Sequence, residues 1–224
     1  MKQRQAAFGT REARMEYLAA VYRPYLQGRV LDVGCDRAVL KERVVGIDYL
    51  GIDIGGTPDL KINLEQTPSL PFGDNHFDCV VCIDVLEHLD NLHQIFLELV
   101  RVSRRYLVLS LPNCWNVARR PISRGYGQFL HYGLPYDPPP DRHKWFFNIS
   151  EAEAFLRHHC RRQGLNLKEI HTTEKPRGSF IRGTRRLIYR DPARYLNRYA
   201  HTLWALIAKP SAKPSPASPS PAME

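Results

Sequence analysis

The stretch at residues 29–38 reads RVLDVGCDRA, and it decides the fold expected for this chain. Its first five residues form a short apolar run that ends at Gly34, which is typical of a buried parallel strand that turns at its carboxyl end. A second such run, at 49–54, carries an acidic residue, Asp53, near its own end. Ligands of open parallel sheets bind beyond these ends, and an acidic residue there can accept hydrogen bonds from both hydroxyls of a ribose. The stretch therefore predicts a site for a ribose-containing ligand.

Strands and helices alternate along the chain around this stretch. Apolar runs predict seven strands, at 29–33, 49–54, 60–64, 77–85, 106–111, 165–171 and 202–208. Apolar residues at helical spacing predict helices at 9–27, 38–43, 89–102 and 150–163, and a basic helical region at 183–199. For the helix at 150–163, Ser150 followed by Glu153 predicts the N-cap. The alternation predicts an α/β fold with a doubly wound, mostly parallel seven-stranded sheet and helices on both faces.

The length of 224 residues suits one domain and is too short for two of ordinary size. We expect an N-terminal helical segment at 1–28 and a ligand-binding domain at 29–209, with an insertion at 114–147. The remaining segment, 210–224, consists mainly of Pro, Ser and Ala. Because it has little apolar surface to bury, we expect a disordered tail.

Charge is distributed unevenly along this chain, whose formal net charge is +9. Residues 31–100, the acidic region, carry 4 basic and 13 acidic side chains, whereas residues 101–209, the basic region, carry 21 basic and 7 acidic ones. The acidic region suits a cationic ligand. The basic region suits an anionic partner, either a phosphorylated or carboxylated small molecule, a membrane surface or a nucleic acid. The alternative is an arginine-rich surface that is only solvated.

Neither a membrane span nor a secretory signal is apparent in the sequence. The longest apolar runs fall far short of the roughly 20 residues that cross a bilayer, and the basic N-terminus lacks an apolar stretch followed by small residues. The five cysteines lie at irregular positions that do not suggest a disulfide framework. Cys79 and Cys82 form a CxxC spacing, but this separation places them on opposite faces of a strand, which favours buried thiols over a redox or metal site. We expect a cytoplasmic protein with reduced cysteines.

Five stretches of the chain resemble, in the same order, those of a known family. They are VLDVGC (30–35), YLGIDI (49–54), PFGDNHFDCVVCIDVLEHL (71–89), RVSRRYLVLSLPN (101–113) and HKWFFN (143–148). Together they resemble class I S-adenosylmethionine (SAM)-dependent methyltransferases, in particular the type 11-like branch that methylates small molecules. The resemblance spans about residues 29–170 and implies a Rossmann-like fold. The chain departs from the family in having Asp36 and Ala38 where glycines are usual, so this loop is less permissive.

The resemblance implies SAM as the cofactor and assigns residues to its parts. Asp32 and Gly34, followed by Cys35 and Asp36, would flank the methionine part. Further residues would hold the ribose, border the adenine and close the pocket: Asp53 with Ile54, Asn63 with Leu64, and Ile83, Asp84 with His88.

The resemblance also places an acceptor pocket beside the insertion that follows the fifth predicted strand. Methyl transfer from a sulfonium needs mainly alignment and exclusion of water, so a general base is optional. If the acceptor is a hydroxyl, a histidine is the usual proton acceptor, and His143 and His88 are the candidates. The alternative for His143 is that it only anchors its loop. No metal is expected, because the chain has neither an HxxxH motif nor cysteine pairs of suitable geometry.

The function predicted from the sequence is transfer of a methyl group from SAM to an oxygen or nitrogen of a small acceptor, for which the basic region favours an anionic one. Two alternatives stay open. One is a non-catalytic Rossmann-like binding module whose basic region docks on a partner or membrane. The other is a nucleic-acid methyltransferase, favoured by the pI of about 9.5. Against the latter, the chain has no NPPY-like tetrapeptide and no recognisable RNA-binding module.

Overall fold

The fold is built on one mixed β-sheet, seen in a computed structural model that describes residues 1–129, 131–137, 139 and 142–210. Its strands in chain order are β1 (Lys2–Gln5), β2 (Arg29–Val33), β3 (Asp48–Asp53), β4 (Leu60–Lys61), β5 (Phe77–Ile83), β6 (Ser103–Pro112), β7 (Asn166–Glu174) and β8 (Thr202–Ala208). Its helices are α1 (Arg11–Tyr22), α2 (Val39–Arg43), α3 (Leu92–Val102), α4 (Cys114–Arg124), α5 (Ile149–Arg162), α6 (Ser179–Ile188) and α7 (Pro192–Tyr199). Apart from Pro210, the predicted tail lies outside the described residues.

The strand order is β1-β7-β8-β6-β5-β2-β3-β4, and only β8 runs antiparallel to its neighbours. The predicted α/β class, with a doubly wound and mostly parallel sheet, is confirmed. The prediction of seven strands was wrong by one, because β1 pairs with β7 at the edge of the sheet. Its sequence, KQRQ, has no apolar run, so no pattern within the strand reveals it.

Helices cover both faces of the sheet. On one face, Leu18 and Tyr22 of α1 pack with Cys79 and Val81 of β5 in one apolar cluster. On the other face, residues of α3, α5 and α7 pack with Val80 and other strand residues in a second cluster. Cys82 belongs to the second cluster, so the two cysteines of the CxxC spacing lie buried on opposite faces, as their separation predicts.

Among the differences between the predicted and the observed helices, two are explained by capping residues. The N-cap of α5 is Asn148, not Ser150: the Asn148 side chain accepts from the Glu151 amide, and Glu151 accepts from the Asn148 amide, which completes a capping box two residues earlier. The basic helical region is two helices, α6 and α7, because Pro192 begins a new helix that Asp191 caps.

The sheet has a topological switch point between β2 and β5. The chain passes from β2 outward to β3 and β4 and then returns to pair β5 with the opposite side of β2. The carboxyl ends of β2 and β5, at Val33 and Ile83, therefore lie side by side, and loops from such ends form the ligand site of an open α/β sheet. No helix in the described part of the chain is long and apolar enough to span a membrane.

Candidate active site

The loop after β2 is pressed against the loop after β5. Gly34 has a left-handed backbone with φ of 76°, and a Cβ built on it would lie 2.2 Å from Cγ2 of Val85. Only glycine fits this close approach. The amides of Gly34 and Cys35 both donate to the Ile52 carbonyl, at 2.8 and 3.2 Å, which fixes the loop against the end of β3.

Asp36 and Ala38 adopt the conformation that glycines favour. Their φ angles are 49° and 55°, in the left-handed region that costs a residue with a Cβ about 1–2 kcal/mol. The Asp36 amide donates to Oδ2 of Asp53 at 2.8 Å, and its carbonyl accepts from the Thr57 amide at 2.7 Å. Two residues of the loop therefore keep the left-handed backbone conformation without the glycines that are usual in the family, and this strains the backbone.

Asp53 lies at the centre of the edge formed by β2, β3 and β4. Besides the Asp36 amide it accepts from the Gly55 amide, at 3.0 Å, and its carbonyl accepts from the Ile62 amide at 2.9 Å. The last contact places Asn63 and the buried Leu64 next along the edge. Ile54, in contrast, is 65% exposed and directed to solvent in this structure.

Asp32 is a buried carboxylate on β2, only 3% exposed. Its hydrogen-bond partner is the Tyr49 hydroxyl, at 2.8 Å. Burial raises the pKa of Asp32 to about 7, and the charge of Asp53 contributes to the rise against the opposing effect of the Tyr49 hydrogen bond. A cation bound nearby would favour the ionised form of this carboxyl group.

Two arginines of α1 reach the carboxylates of this edge. Arg14 pairs with Asp84, which also accepts from the Ser110 hydroxyl, and Arg11 lies 3.0 Å from Asp36. Asp84 has a left-handed backbone, with φ of 50°. Three of the four non-glycine residues with positive φ in the described chain, Asp36, Ala38 and Asp84, thus lie at the β2 and β5 ends. Such strain concentrates at functional sites.

A second group of polar residues follows the end of β5. Glu87 and His88 lie in a short 3₁₀ turn, and the rings of His88 and His143 are 4.4 Å apart. His143 also stacks on His131, with ring centroids 4.3 Å apart. Burial, together with the neighbouring His88 and His131, lowers the pKa of His143 to about 3, so this imidazole is neutral at physiological pH.

The structure brings most of the sequence-predicted residues to one edge of the sheet. They include Asp32 near the end of β2, Asp53 at the end of β3, and Gly34, Cys35 and Asp36 in the loop after β2. Ile83 is buried in the apolar cluster beneath α1, and Asp84 and His88 follow it in the loop after β5.

Sequence reasoning missed several residues that complete this edge. They are Arg11 and Arg14 of α1, Tyr49, Ser110, Glu87 and Tyr132. Glu87 could have been found, because it stands next to the candidate His88 in the quoted VLEHL stretch. Tyr49 and Ser110 also stand in quoted stretches, whereas Arg11, Arg14 and Tyr132 lie outside those stretches and carry no local signal.

The fold and this edge define a doubly wound α/β protein with an acidic ligand site at its switch point. Residues 3–170 match the profile of a protein family described as Methyltransferase domain. The chain belongs to this methyltransferase family. The predicted membership of the SAM-dependent methyltransferases, with SAM as the family's cofactor, is thereby confirmed. No curated protein matches the chain.

Solved structures with the same fold include two methyltransferases and a cyclase. A SAM-dependent methyltransferase from Archaeoglobus fulgidus is 20% identical, with a TM-score of 0.52 over 90% of this chain and 95% of that one. Magnesium protoporphyrin IX methyltransferase from Synechocystis PCC 6803, with bound SAH, is 17% identical, with a TM-score of 0.54 over 89% and 83%. The cyclase SpnF is 15% identical, with a TM-score of 0.56 over 90% and 82%. At these identities the likeness establishes the Rossmann-like methyltransferase fold.

Proposed function

We propose that this chain transfers the methyl group of SAM to an oxygen or nitrogen atom of a small, anionic acceptor. The observation that carries the proposal is the collection of four carboxylates, those of Asp32, Asp36, Asp53 and Asp84, around the switch point of a methyltransferase-family sheet. A sulfonium and an ammonium are both cations. Because two arginines of α1 pair with Asp36 and Asp84, the attraction for the methionine part comes mainly from Asp32 and Asp53.

The residues of the edge fit the parts of the cofactor. Asp53 keeps acceptor capacity after its two amide contacts, because a carboxylate has about four lone-pair sites, and we assign it to the ribose hydroxyls. Asp32, together with the Gly34–Cys35–Asp36 backbone, is assigned to the methionine part, and Asp84 closes that side with Ile83 beneath it. Asn63 and Leu64 are assigned to the adenine border, with Ile54 beside the ribose.

The strained loop supports cofactor binding by this chain. A loop that had lost its function could relax toward a less strained backbone once Asp36 and Ala38 stood in place of the family's glycines. Both residues keep that conformation, and the Asp36 amide is hydrogen-bonded to Asp53. The departure from the family pattern therefore leaves the loop path in place.

When bound, SAM supplies a methyl group on a sulfonium, which is a good leaving group. A carbon–oxygen or carbon–nitrogen bond forms as the carbon–sulfur bond breaks, and the electron pair of that bond stays on sulfur. The contribution of the chain is to align the acceptor atom and to exclude water. We propose that His88 and His143 lie on the acceptor side of the pocket, beside the atom that receives the methyl group, and that the proton of this atom leaves to water.

Cations at the same edge favour an anionic acceptor. Because β6 and β7 both run antiparallel to β8, their carboxyl ends lie at one edge, and α4 and α6 follow them. The pKa of His201 is lowered to about 4 by its burial and by the surrounding positive charges of Lys175, Arg119, Arg120 and Arg177. An anion bound there would relieve the mutual repulsion of these cations.

Calorimetric titration with SAM and with its demethylated product tests the proposal. The wild-type chain should bind both, and Asp53→Asn should bind SAM about tenfold or more weakly, because hydrogen bonds to a charged group contribute about 1.5–3 kcal/mol. Asp48→Ala is the matched control, since Asp48 is an exposed aspartate at the opposite end of the same strand, and its affinity should equal that of the wild type.

Absence of SAM binding to the folded wild-type chain would overturn the proposal and favour the non-catalytic binding module. If SAM binds, a screen of phosphorylated and carboxylated small molecules should yield a methylated product. Methylation confined to nucleic acid would instead favour the nucleic-acid methyltransferase.

A further inference from the structure

Three side chains with metal-binding atoms converge beside the β5 end. One ligand atom each from Glu87, His88 and His143 lies within 4.8 Å of the other two. Glu87 is fully buried, and its Oε1 is 3.8 Å from Nε2 of His88. Tetrahedral ligands of Zn²⁺ lie about 3.4 Å apart, given bond lengths of about 2.0–2.1 Å. Small side-chain rotations would therefore bring the three atoms to ligating distance.

The hydrogen bonds of His88 select the tautomer that a metal requires. Nδ1 of His88 is 3.2 Å from the carbonyl oxygen of Arg142. Because a carbonyl only accepts, Nδ1 carries a proton, and in the neutral imidazole the lone pair is then on Nε2, the atom 3.8 Å from Oε1 of Glu87. Metal-binding histidines typically donate their other ring N–H to a carbonyl or carboxylate in this way.

The hydrogen bonds around Tyr132 allow the same tautomer for His143. Nδ1 of His143 is 2.8 Å from the Tyr132 hydroxyl, which also lies 2.7 Å from Sγ of Cys114 and 3.1 Å from the Trp145 carbonyl oxygen. When the hydroxyl donates to the sulfur or to the carbonyl, it accepts from Nδ1–H of His143. In that arrangement the lone pair of the neutral imidazole is on Nε2 and is available to a metal.

The loop that carries His143 is fixed to the turn that carries the other two residues. The amide of Lys144 donates to the Glu87 carbonyl at 2.8 Å, and Nε1 of Trp145 donates to the Leu89 carbonyl at 2.7 Å. The Lys144 ammonium bridges Glu65 and Asp90, at 2.9 and 2.6 Å. These contacts hold the two backbone segments that carry the three residues next to each other before an ion arrives, which lowers the cost of binding.

We infer that Glu87, His88 and His143 bind a divalent first-row transition ion, for which Zn²⁺ is the best match. Two imidazoles and one carboxylate, with further positions open, form a ligand set typical of catalytic zinc and of related ions, whereas Mg²⁺ prefers an all-oxygen environment. The inference revises the expectation from sequence that no metal is bound. That expectation considered local spacing, and this group joins two neighbouring residues to one far along the chain.

The role of the ion rests on the proposed function. A hydroxyl of the acceptor bound at an open position would lose its proton more readily, because a divalent ion stabilises the resulting oxyanion. The proton would pass to water, and the oxygen would then bond to the methyl carbon as the carbon–sulfur bond breaks and its electron pair stays on sulfur. In this arrangement the two histidines act through the ion and not as bases themselves.

Metal titration of the full chain tests the inference without an acceptor. After removal of any affinity tag and treatment with a chelator, the wild type should bind one Zn²⁺ per chain by calorimetry. Co²⁺ alone should give visible ligand-field absorption of a nitrogen- and oxygen-ligated ion. His143→Gln should weaken Zn²⁺ binding by at least about tenfold and abolish the absorption. His158→Gln is the matched control, because it removes an exposed imidazole from α5 and should leave both unchanged.

Circular dichroism and SAM titration of each sample keep the outcomes distinct. Glu87→Gln serves as a second variant. If this substitution of a buried residue unfolds the chain, the test relies on His143→Gln. Absence of Zn²⁺ binding, or equal binding by wild type and His143→Gln, would overturn the ion site while SAM binding left the proposed function standing. Zn²⁺ binding without SAM binding would support the ion site and overturn the proposed function.

Discussion

Helices α3 and α6 both have one apolar and one polar face, but they turn opposite faces to the rest of the molecule. In α3, in the acidic region, the apolar face is buried on the sheet and includes Ile95, Phe96 and Leu99. In α6, in the basic region, no residue is buried, and Phe180 and Leu187 are 85% and 71% exposed. Apolar periodicity therefore establishes that a helix is amphipathic, whereas its surroundings decide which face is covered.

The charged face of α6 is the one that contacts the domain. Arg185 is 3.0 Å from Glu174 at the end of β7 and lies over the ring of Tyr199, and Arg186 donates to Gln3 of β1. A buried carboxylate and an aromatic ring attract guanidinium groups more than they attract apolar side chains. The acidic region thus holds its helices by apolar burial, and the basic region holds α6 by charge and ring contacts.

Among tests of this comparison between α3 and α6, the largest change in the free energy of unfolding is expected for Phe96→Ala in α3. Phe96 is fully buried and packs against Phe155, with ring centroids 5.3 Å apart. The substitution should lower the free energy of unfolding by about 3–5 kcal/mol, because it removes a large buried side chain and leaves a cavity. Urea unfolding followed by circular dichroism measures this loss. A loss below about 1 kcal/mol would mean that α3 is not anchored by its apolar face.

An intermediate effect, on the pH dependence of SAM affinity, is expected from Asp32. The two regions differ in what pairs with their buried carboxylates. Glu174 in the basic region is paired with Arg185, whereas Asp32 in the acidic region has the neutral Tyr49 as its hydrogen-bond partner. With a pKa of about 7, Asp32 is protonated at lower pH and must ionise beside a cationic cofactor. SAM affinity should therefore rise with pH up to about 7, by as much as about tenfold per pH unit below it.

The direction of these pH effects follows from the linkage between protonation of Asp32, folding and SAM binding. The folded-state pKa of Asp32 is raised above its usual value of 3.8, so its stabilising contribution without cofactor is present below 3.8 and lost as the pH rises through about 7. Bound SAM reverses this preference by stabilising the ionised carboxylate. Calorimetry at a series of pH values, in two buffers with different enthalpies of ionisation, should detect proton release from the wild type. Asp32→Asn should release no such proton, and release equal to that of the wild type would contradict the assignment.

The smallest effect is expected for Leu187→Gln in α6. Because Leu187 is largely exposed and glutamine is a good helix former, the free energy of unfolding should change by no more than about 0.5 kcal/mol. The same urea titration measures it, with Phe96→Ala as the reference. A loss above about 1.5 kcal/mol would break the comparison, since it would show that the apolar face of α6 is packed in solution.

Most of the sheet, and most residues of the edge that we propose to bind the cofactor, were predictable from local sequence. The strands at Arg29–Val33 and Thr202–Ala208 were predicted with their observed bounds, and Asp32, Gly34 and Asp53 lie where strand ends place them. Strand β1 was not predictable, since its four polar residues reveal nothing until β7 presents an open edge.

The residues that complete the site were beyond local reasoning for the same physical reason. Arg14 meets Asp84 only because α1 packs across the sheet, and Tyr132 meets His143 only because their loop closes on the turn after β5. Such contacts depend on the relative placement of elements, which no periodicity records.

By itself, the sequence determined the alternating order of strands and helices, the switch-point loops and the separation of acidic from basic charge. Each of these follows from residues close together in the chain, through apolar periodicity, turn chemistry and composition. The tertiary structure alone decided that α6 turns its charged face inward and that metal-binding atoms of Glu87, His88 and His143 lie within 4.8 Å of one another. Both depend on free energies of contact between distant segments, and these exist only once the sheet has brought the segments together.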